Sequence, residues 1–323
     1  GISVMEEEDV VRAIIPGVVV VFNLGKEEAP LEFGDLELQF RTEPDERLNI
    51  AVQIPSRIVL RNPDGTIGLD IRIGSSKFFL NWDSDLKTIT GNHINFQDVS
   101  FKSKNNLIVQ VERIESIGKL DERQNGFWSG SLTLRMESLV STIIKIEEVE
   151  LKQTVKNLRL REFTTAMKGI DHDGRFGSWF YGGAFYPSSL YEHSISKENI
   201  VSFIDAARKF LPVMGDYSVR AFLRDLSMPG FFSVTDIRSQ SDYRHDSSGL
   251  GNSAGQLRIE GIHVSTKGDI VAFQDLIPSS VNLDINLDRM PEIALVDILR
   301  TVTVDALKED WTGMSKQERM MRP

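Results

Sequence analysis

The chain has 323 residues, 37 Lys+Arg against 47 Asp+Glu, a net charge of -10 and no cysteine. The absence of cysteine excludes disulfide scaffolds, Cys-ligated zinc, thiolate nucleophiles and CxxC redox centres. The acidic balance argues against a general nucleic-acid binder, and 41% hydrophobic with 26% charged residues excludes a chain disordered by composition.

The acidic opening Glu6-Glu7-Glu8-Asp9, followed by Val10, Val11 and Ile14, predicts a short helix that Pro16-Gly17 ends. The apolar run from Ile14 to Phe22 is shorter than the ~20 residues of a membrane span. The first residue is Gly1 and not Met, so an export signal or anchor upstream is expected. From residue 16 to about 165 the hydrophobic period is two: Leu36, Leu38 and Phe40, then Leu48, Ile50, Val52 and Ile54, then Ile67, Leu69, Ile71 and Ile73. The alternation continues through Leu107 to Val111, Leu132 to Met136, Ile144 to Leu151 and Leu160. Turns are expected at Asn62-Pro63-Asp64-Gly65, Asn105-Asn106 and Asn125-Gly126. Short turns between alternating strands predict a long antiparallel meander.

Residues 166–215 break the pattern. An aromatic, Gly-rich connector comes first. A helix over 196–211 follows, with Ser196 as N-cap and Ile200, Phe203, Ile204, Ala207 and Leu211 on its apolar face. Strands return from Val219 to Leu287, including one over Ile270 to Phe273, with a turn at Lys267-Gly268-Asp269. A second helix is expected over 291–302, opened by Pro291. The predicted fold class is mainly β (α+β), with long antiparallel, curved, meandering sheets, two amphipathic helices and an open groove. Three regions are expected: a β-rich unit at 1–165, the connector and helix at 166–215, and a β-rich unit at 216–323. Only two clear helices serve many half-buried strands. The apolar faces must therefore be buried on another sheet, on a helix or on a ligand, which leaves a groove and a filled core both open.

No motif for chemistry meets its structural context. Gly251-Asn252-Ser253-Ala254-Gly255 matches G-x-S-x-G, yet the alternating segment Gln256 to Glu260 follows it where a helix is required, so a polar turn is expected. Asp171-His172-Asp173 has no EF-hand spacing and reads as a loop, though Asp171 and Asp173 share a side. His93, His172, His193, His245 and His263 include no helical i, i+4 pair, and His263 reads as solvent-facing on a strand. No cofactor, metal site or catalytic residue is expected, and an enzyme is not. The densest aromatic cluster holds Trp179, Phe180, Tyr181, Phe185 and Tyr186, a contact platform for ligand or partner or a plug on a β-core.

Three phrases resemble AsmA-like bacterial envelope proteins: Asn125-Gly126-Phe127-Trp128-Ser129-Gly130-Ser131-Leu132, Gln256 to Ile262 with Gly268-Asp269, and Ile277 to Leu283 running into Met290-Pro291. The likeness is one of style over about two thirds of the chain. It implies a periplasmic protein, anchored to the inner membrane by a segment outside this sequence, with curved sheets forming an apolar groove. It brings no catalytic residues. A lipid or other apolar small molecule, and an envelope protein, are the partners it implies; a structural or assembly role with a filled core is the other reading.

Overall fold

The computed structural model describes residues 2–7, 9–24, 27–43, 47–62, 64–103, 108–162, 205, 215–245, 250–264, 277–291, 294, 296–298, 300 and 301. The fold is mainly β. The strands in chain order are β1 (Ser3–Glu7), β2 (Val10–Leu24), β3 (Glu27–Thr42), β4 (Arg47–Gln53), β5 (Arg57–Arg61), β6 (Ile67–Arg72), β7 (Ser75–Asp83), β8 (Thr88–Ser103), β9 (Ile108–Glu122), β10 (Trp128–Ser141), β11 (Lys145–Leu158), β12 (Asp216–Met228), β13 (Phe232–His245), β14 (Gly251–Glu260), β15 (His263–Val264) and β16 (Ser280–Met290). All belong to one antiparallel sheet. Helical backbone occurs at residues 160–162, at 205 inside the expected 196–211 helix, and at 294, 296–298, 300 and 301 inside the expected 291–302 helix.

The topology reduces to a plain meander. β4 and β5 are two halves of one row, since β3 pairs with β4 through Glu37–Thr42 and with β5 through Leu31 and Glu32. β6 and β7 share one register against β8, and β14 and β15 share one register against β13. Three strands are thus continuations of others, and among the described residues the sheet has thirteen rows, each pairing with its neighbours in sequence. β11 pairs directly with β12, so the strands on either side of residues 159–215 lie in the same sheet.

The expected helix at the N-terminus is instead the hairpin β1–β2, with Glu6 opposite Val11 and Glu7 opposite Val10. Val10, Val11, Ile14 and Ile15 are β-branched, which favours the pleated state, and pairing with β3 outweighs the acidic first-turn signal. Pro16-Gly17 does not stop the element. Gly17 sits at φ +60, its amide donates to Asp35 Oδ1 at 2.9 Å, and β2 continues to Leu24 after a register shift. The expected turns at Asn62–Gly65 and Asn125-Gly126 are present: Gly65 N–H donates to the Asn62 carbonyl at 2.9 Å, and Asn125 and Gly126 have φ +62 and +74. The turns at Asn105-Asn106 and Lys267 to Asp269, and the strand over Ile270 to Phe273, lie outside the described residues.

A line of irregular backbone crosses nearly every row at the same height. The ladders skip the position shared by Asp98, Glu112, Ser138, Glu147, Asp225, Thr235 and Gly261, while their registers agree on either side. Asp98, Ser138, Asp225 and Gly261 have φ of +53, +52, +51 and +66. The line continues through the break at Ile73-Gly74, where Gly74 N–H donates to the Gln97 carbonyl at 3.0 Å, and through the break at 54–56. A left-handed residue kinks a strand and shifts its side-chain alternation by one. Val99 and Val111, just past the line, accordingly pack with Phe96 and Ile114, just before it. This crease divides the sheet into a wide panel, about ten residues per strand, and a narrow one of three to five. Ile58, Ile73, Val99 and Val111 are buried in the angle between them, packed by Phe33, Met136 and Leu139.

Candidate functional site: an apolar trough

Paired residues in an antiparallel ladder point to the same face, so the registers read out what each face of the wide panel carries. Beside the crease, one unbroken line of cross-strand pairs runs Phe96, Ile114, Met136, Val149, Leu223, Ile237, Ile259, Val281. The next line on this face is Ile94, Ser116, Leu134, Leu151, Ala221, Ser239, Leu257, Leu283. A third crosses twelve rows from Val11, Phe40, Ile50 and Leu80 through Leu132 and Val219 to Ile285, with Asn92, Gln153 and Ser241 between them. None of these residues carries a charge; only on the outermost row does the third line end in one, where Glu6 pairs with Val11.

The opposite face is the inverse. Arg113, Glu137, Glu148, Arg224 and Asp236 are successive cross-strand neighbours. Arg135 Nε lies 3.4 Å from Glu148 and donates to Glu150 at 3.1 Å, and Arg224 reaches Glu147 at 2.9 Å and Glu148 at 3.1 Å. Opposite charges placed directly across a ladder reinforce the register. In these rows the charged side chains thus lie on the face opposite the three lines.

Among the described residues the apolar face has no second layer. Every substantial contact between described elements joins hydrogen-bonded neighbours, and no large described side chain is fully buried. Most of the face is half-buried, and at the edge strand Leu283, Ile285 and Leu287 are about half exposed (48%, 50% and 49%). The eight-row line beside the crease measures roughly 34 Å at about 4.8 Å per strand. Two features bound the trough. The crease and narrow panel form one side. At the far ends of the strands, Leu86, Trp128, Leu158 and Leu160 are buried together. The Arg47 guanidinium lies 5.9 Å from the Trp128 ring, although β4 and β10 are four ladders apart. Those ladders span about 19 Å on a flat sheet, so the sheet coils here. Tyr217 and Tyr243 stack at 5.0 Å between centroids on the same rim.

Ion pairs fix the narrow panel. Arg57 donates to Asp70 from Nε at 2.9 Å and from Nη2 at 3.2 Å, and Arg61 donates to Glu32 at 2.7 Å. The hydrogen bond from Arg57 holds the Asp70 carboxyl below its ordinary range, and that from Arg61 does the same for Glu32.

Among the sequence candidates, Trp179, Phe180, Tyr181, Phe185 and Tyr186 lie outside the described residues, as do Asp171, His172, Asp173 and His193. Ser253 is described, but Gly251 to Gly255 is part of strand β14 and not a turn. Pairing with both β13 and β16 overrides the local glycines, and Ser253 faces Tyr243 and Leu287 with no helix following. His263 is exposed on β15, and His93 is exposed on β8. Among the described residues no group of three His, Asp or Glu is placed to hold a metal, and no helix is long and apolar enough to cross a membrane. Alternation already marked most trough residues as half-buried; what it missed was the rim, where Trp128 and Leu86 carry no periodic signal.

Among the described residues, fold and face together define an open, single-layer antiparallel β-trough, charged outside and uncharged along its floor. No family model, no curated protein and no solved structure matches the chain.

Proposed function

We propose that the protein holds or conducts the hydrocarbon part of a lipid-like molecule along this trough, as a non-enzymatic protein of the bacterial envelope. The observation that carries the reading is the pair of opposite faces: three lines without a charge short of the outermost row on one side, a lattice of ion pairs on the other. An apolar sheet face without a covering layer stabilises itself by taking up an apolar ligand. The eight-row line exceeds the length of one lipid leaflet, half of a hydrocarbon core of about 30 Å. The floor offers hydroxyls and amides at Ser116, Asn92, Gln153 and Ser241 but no counter-charge, so a charged headgroup is left at the open side in water. The resemblance to AsmA-like proteins supports the same reading and the periplasmic, membrane-anchored placement.

The test is binding of a fluorescent fatty-acyl probe, with mass spectrometry of lipid carried through purification. Leu134→Lys puts a charge on the floor, and Thr133→Lys puts the same charge on the opposite face of the same strand. Loss of binding in the first and retention in the second is expected, with folding of both checked by circular dichroism. Absence of copurified lipid together with no probe binding by the unaltered protein refutes the proposal.

A further inference from the structure

The sheet has two edges, and they are built differently. β1 is five residues long and ends in Glu6-Glu7. β16 is eleven residues long, and its run from Val281 to Leu287 contains no Lys, no Pro and no bulge; the ladder shifts register just past it, at Asp288-Arg289, where Arg289 has φ +56. Among the described residues it is the exposed outermost row, beyond β14. Long, flat edges with one apolar face invite strand addition, and short or charged ones resist it.

The sequence of β16 is self-complementary. Laid antiparallel against itself about Ile285, Leu283 meets Leu287, Asp284 meets Asn286 and Ile285 meets its own copy. Over this run the Asp284 carboxylate faces a carboxamide that can donate to it, no two charges of like sign are opposed, and Leu283, Ile285 and Leu287 meet one another; Val281 falls opposite Arg289 at the bulged end. A slip of one residue sets Leu or Ile against Asn or Asp at each position, so the register is specified.

Topology makes the same choice. With thirteen alternating rows, β1 and β16 run in the same direction. Joining β16 of one copy to β1 of the next with both apolar faces on one side therefore requires a parallel ladder, unlike every other ladder in the sheet. A two-fold axis normal to the sheet at Ile285 gives an antiparallel ladder and keeps both apolar faces on one side.

We infer that β16 is a homodimerisation edge, pairing antiparallel with β16 of a second copy about Ile285 so that two troughs share one continuous floor. The pairing brings Leu283, Ile285 and Leu287 of the two copies together.

Sedimentation analysis of the full chain across a concentration series tests it. The expected result is a monomer–dimer equilibrium whose upper limit is twice 36.4 kDa. Because the chain has no cysteine, single introduced thiols report the register. Ile285→Cys is expected to form a covalent dimer on mild oxidation, since opposed residues in such a ladder lie about 4.5–5.5 Å apart between Cα atoms. Leu287→Cys alone is expected not to, whereas mixed Leu287→Cys and Leu283→Cys proteins cross-link. Asn286→Asp opposes Asp284 of the other copy twice and is expected to weaken the dimer roughly tenfold; adding Asp284→Asn restores the pairing. These outer-face positions are exposed, so the variants keep the fold. A monomer at every concentration, growth beyond the dimer, or a dimer in which Ile285→Cys does not cross-link overturns the inference. None of these outcomes depends on lipid binding.

Discussion

Two glycines on one row separate the crease from an ordinary strand, and alanine at each should act with opposite sign. At Gly261 φ is +66, and a Cβ there meets the Thr235 hydroxyl and lies 2.7 Å from the Thr235 Cβ. The left-handed conformation costs an L-residue about 1–2 kcal/mol, and the displaced Thr235 adds about 1 kcal/mol of overpacking. A stiffer unfolded chain returns about 0.5 kcal/mol, so Gly261→Ala should destabilise by roughly 2 kcal/mol. Gly255, six residues earlier on β14, has ordinary strand backbone, and its added Cβ meets nothing nearer than the Ile285 carbonyl oxygen at 3.8 Å. Gly255→Ala should therefore stabilise by about 0.5–1 kcal/mol. Urea unfolding followed by circular dichroism measures both, and hydrogen exchange of the β13–β15 amides shows whether the loss is local to the crease. Equal effects at the two sites, or a neutral Gly261→Ala, refute the account of the crease as a line of enforced left-handed backbone.

Trp128 is 4% exposed, packed with Leu86, Leu158 and Leu160. Trp128→Ala should cost about 3 kcal/mol and speed exchange at the β7–β8 turn; a shift in urea midpoint no larger than that of a surface substitution argues against a packed cluster at this rim. Asp70 has a carboxyl held low by Arg57. A depressed folded-state value contributes stability that is complete above the unfolded carboxylate range and is lost as pH falls through the lower folded value. Asp70→Asn should thus be less stable than the unaltered protein near neutral pH, with the gap closing below about pH 4; an acid-unfolding profile in which the gap stays constant refutes this. The Arg135 cluster is partly exposed, so Arg135→Gln should lose no more than about 1 kcal/mol, and less at high salt. A loss that is larger and insensitive to salt refutes the surface-pair reading.

Local alternation is a property of single segments, and it was enough to mark Leu36 to Phe40, Leu48 to Ile54 and Leu132 to Met136 as strands with one buried face. It also placed Asn62 to Gly65 and Asn125-Gly126 as turns, because those residues favour the backbone a turn needs. It misread Glu6 to Ile14 as a helix, since the first-turn charge signal is local and the pairing of β2 with β3 is not. It misread Gly251 to Gly255 as a turn for the same reason: two flanking strands impose extension on glycines that have no preference of their own. The apolar face was legible residue by residue, yet only the registers aligned those residues into continuous lines. The crease depended most on tertiary structure. Asp98, Ser138 and Asp225 carry no left-handed signature as single residues, and they align only when eight strands stack in register. What the sequence determined alone was which side chains shun water along each strand. What the tertiary structure decided was that most of them face one way, with Phe79, Ile117 and Phe222 left on the charged face, because cross-strand pairing is set by residues far apart in the chain.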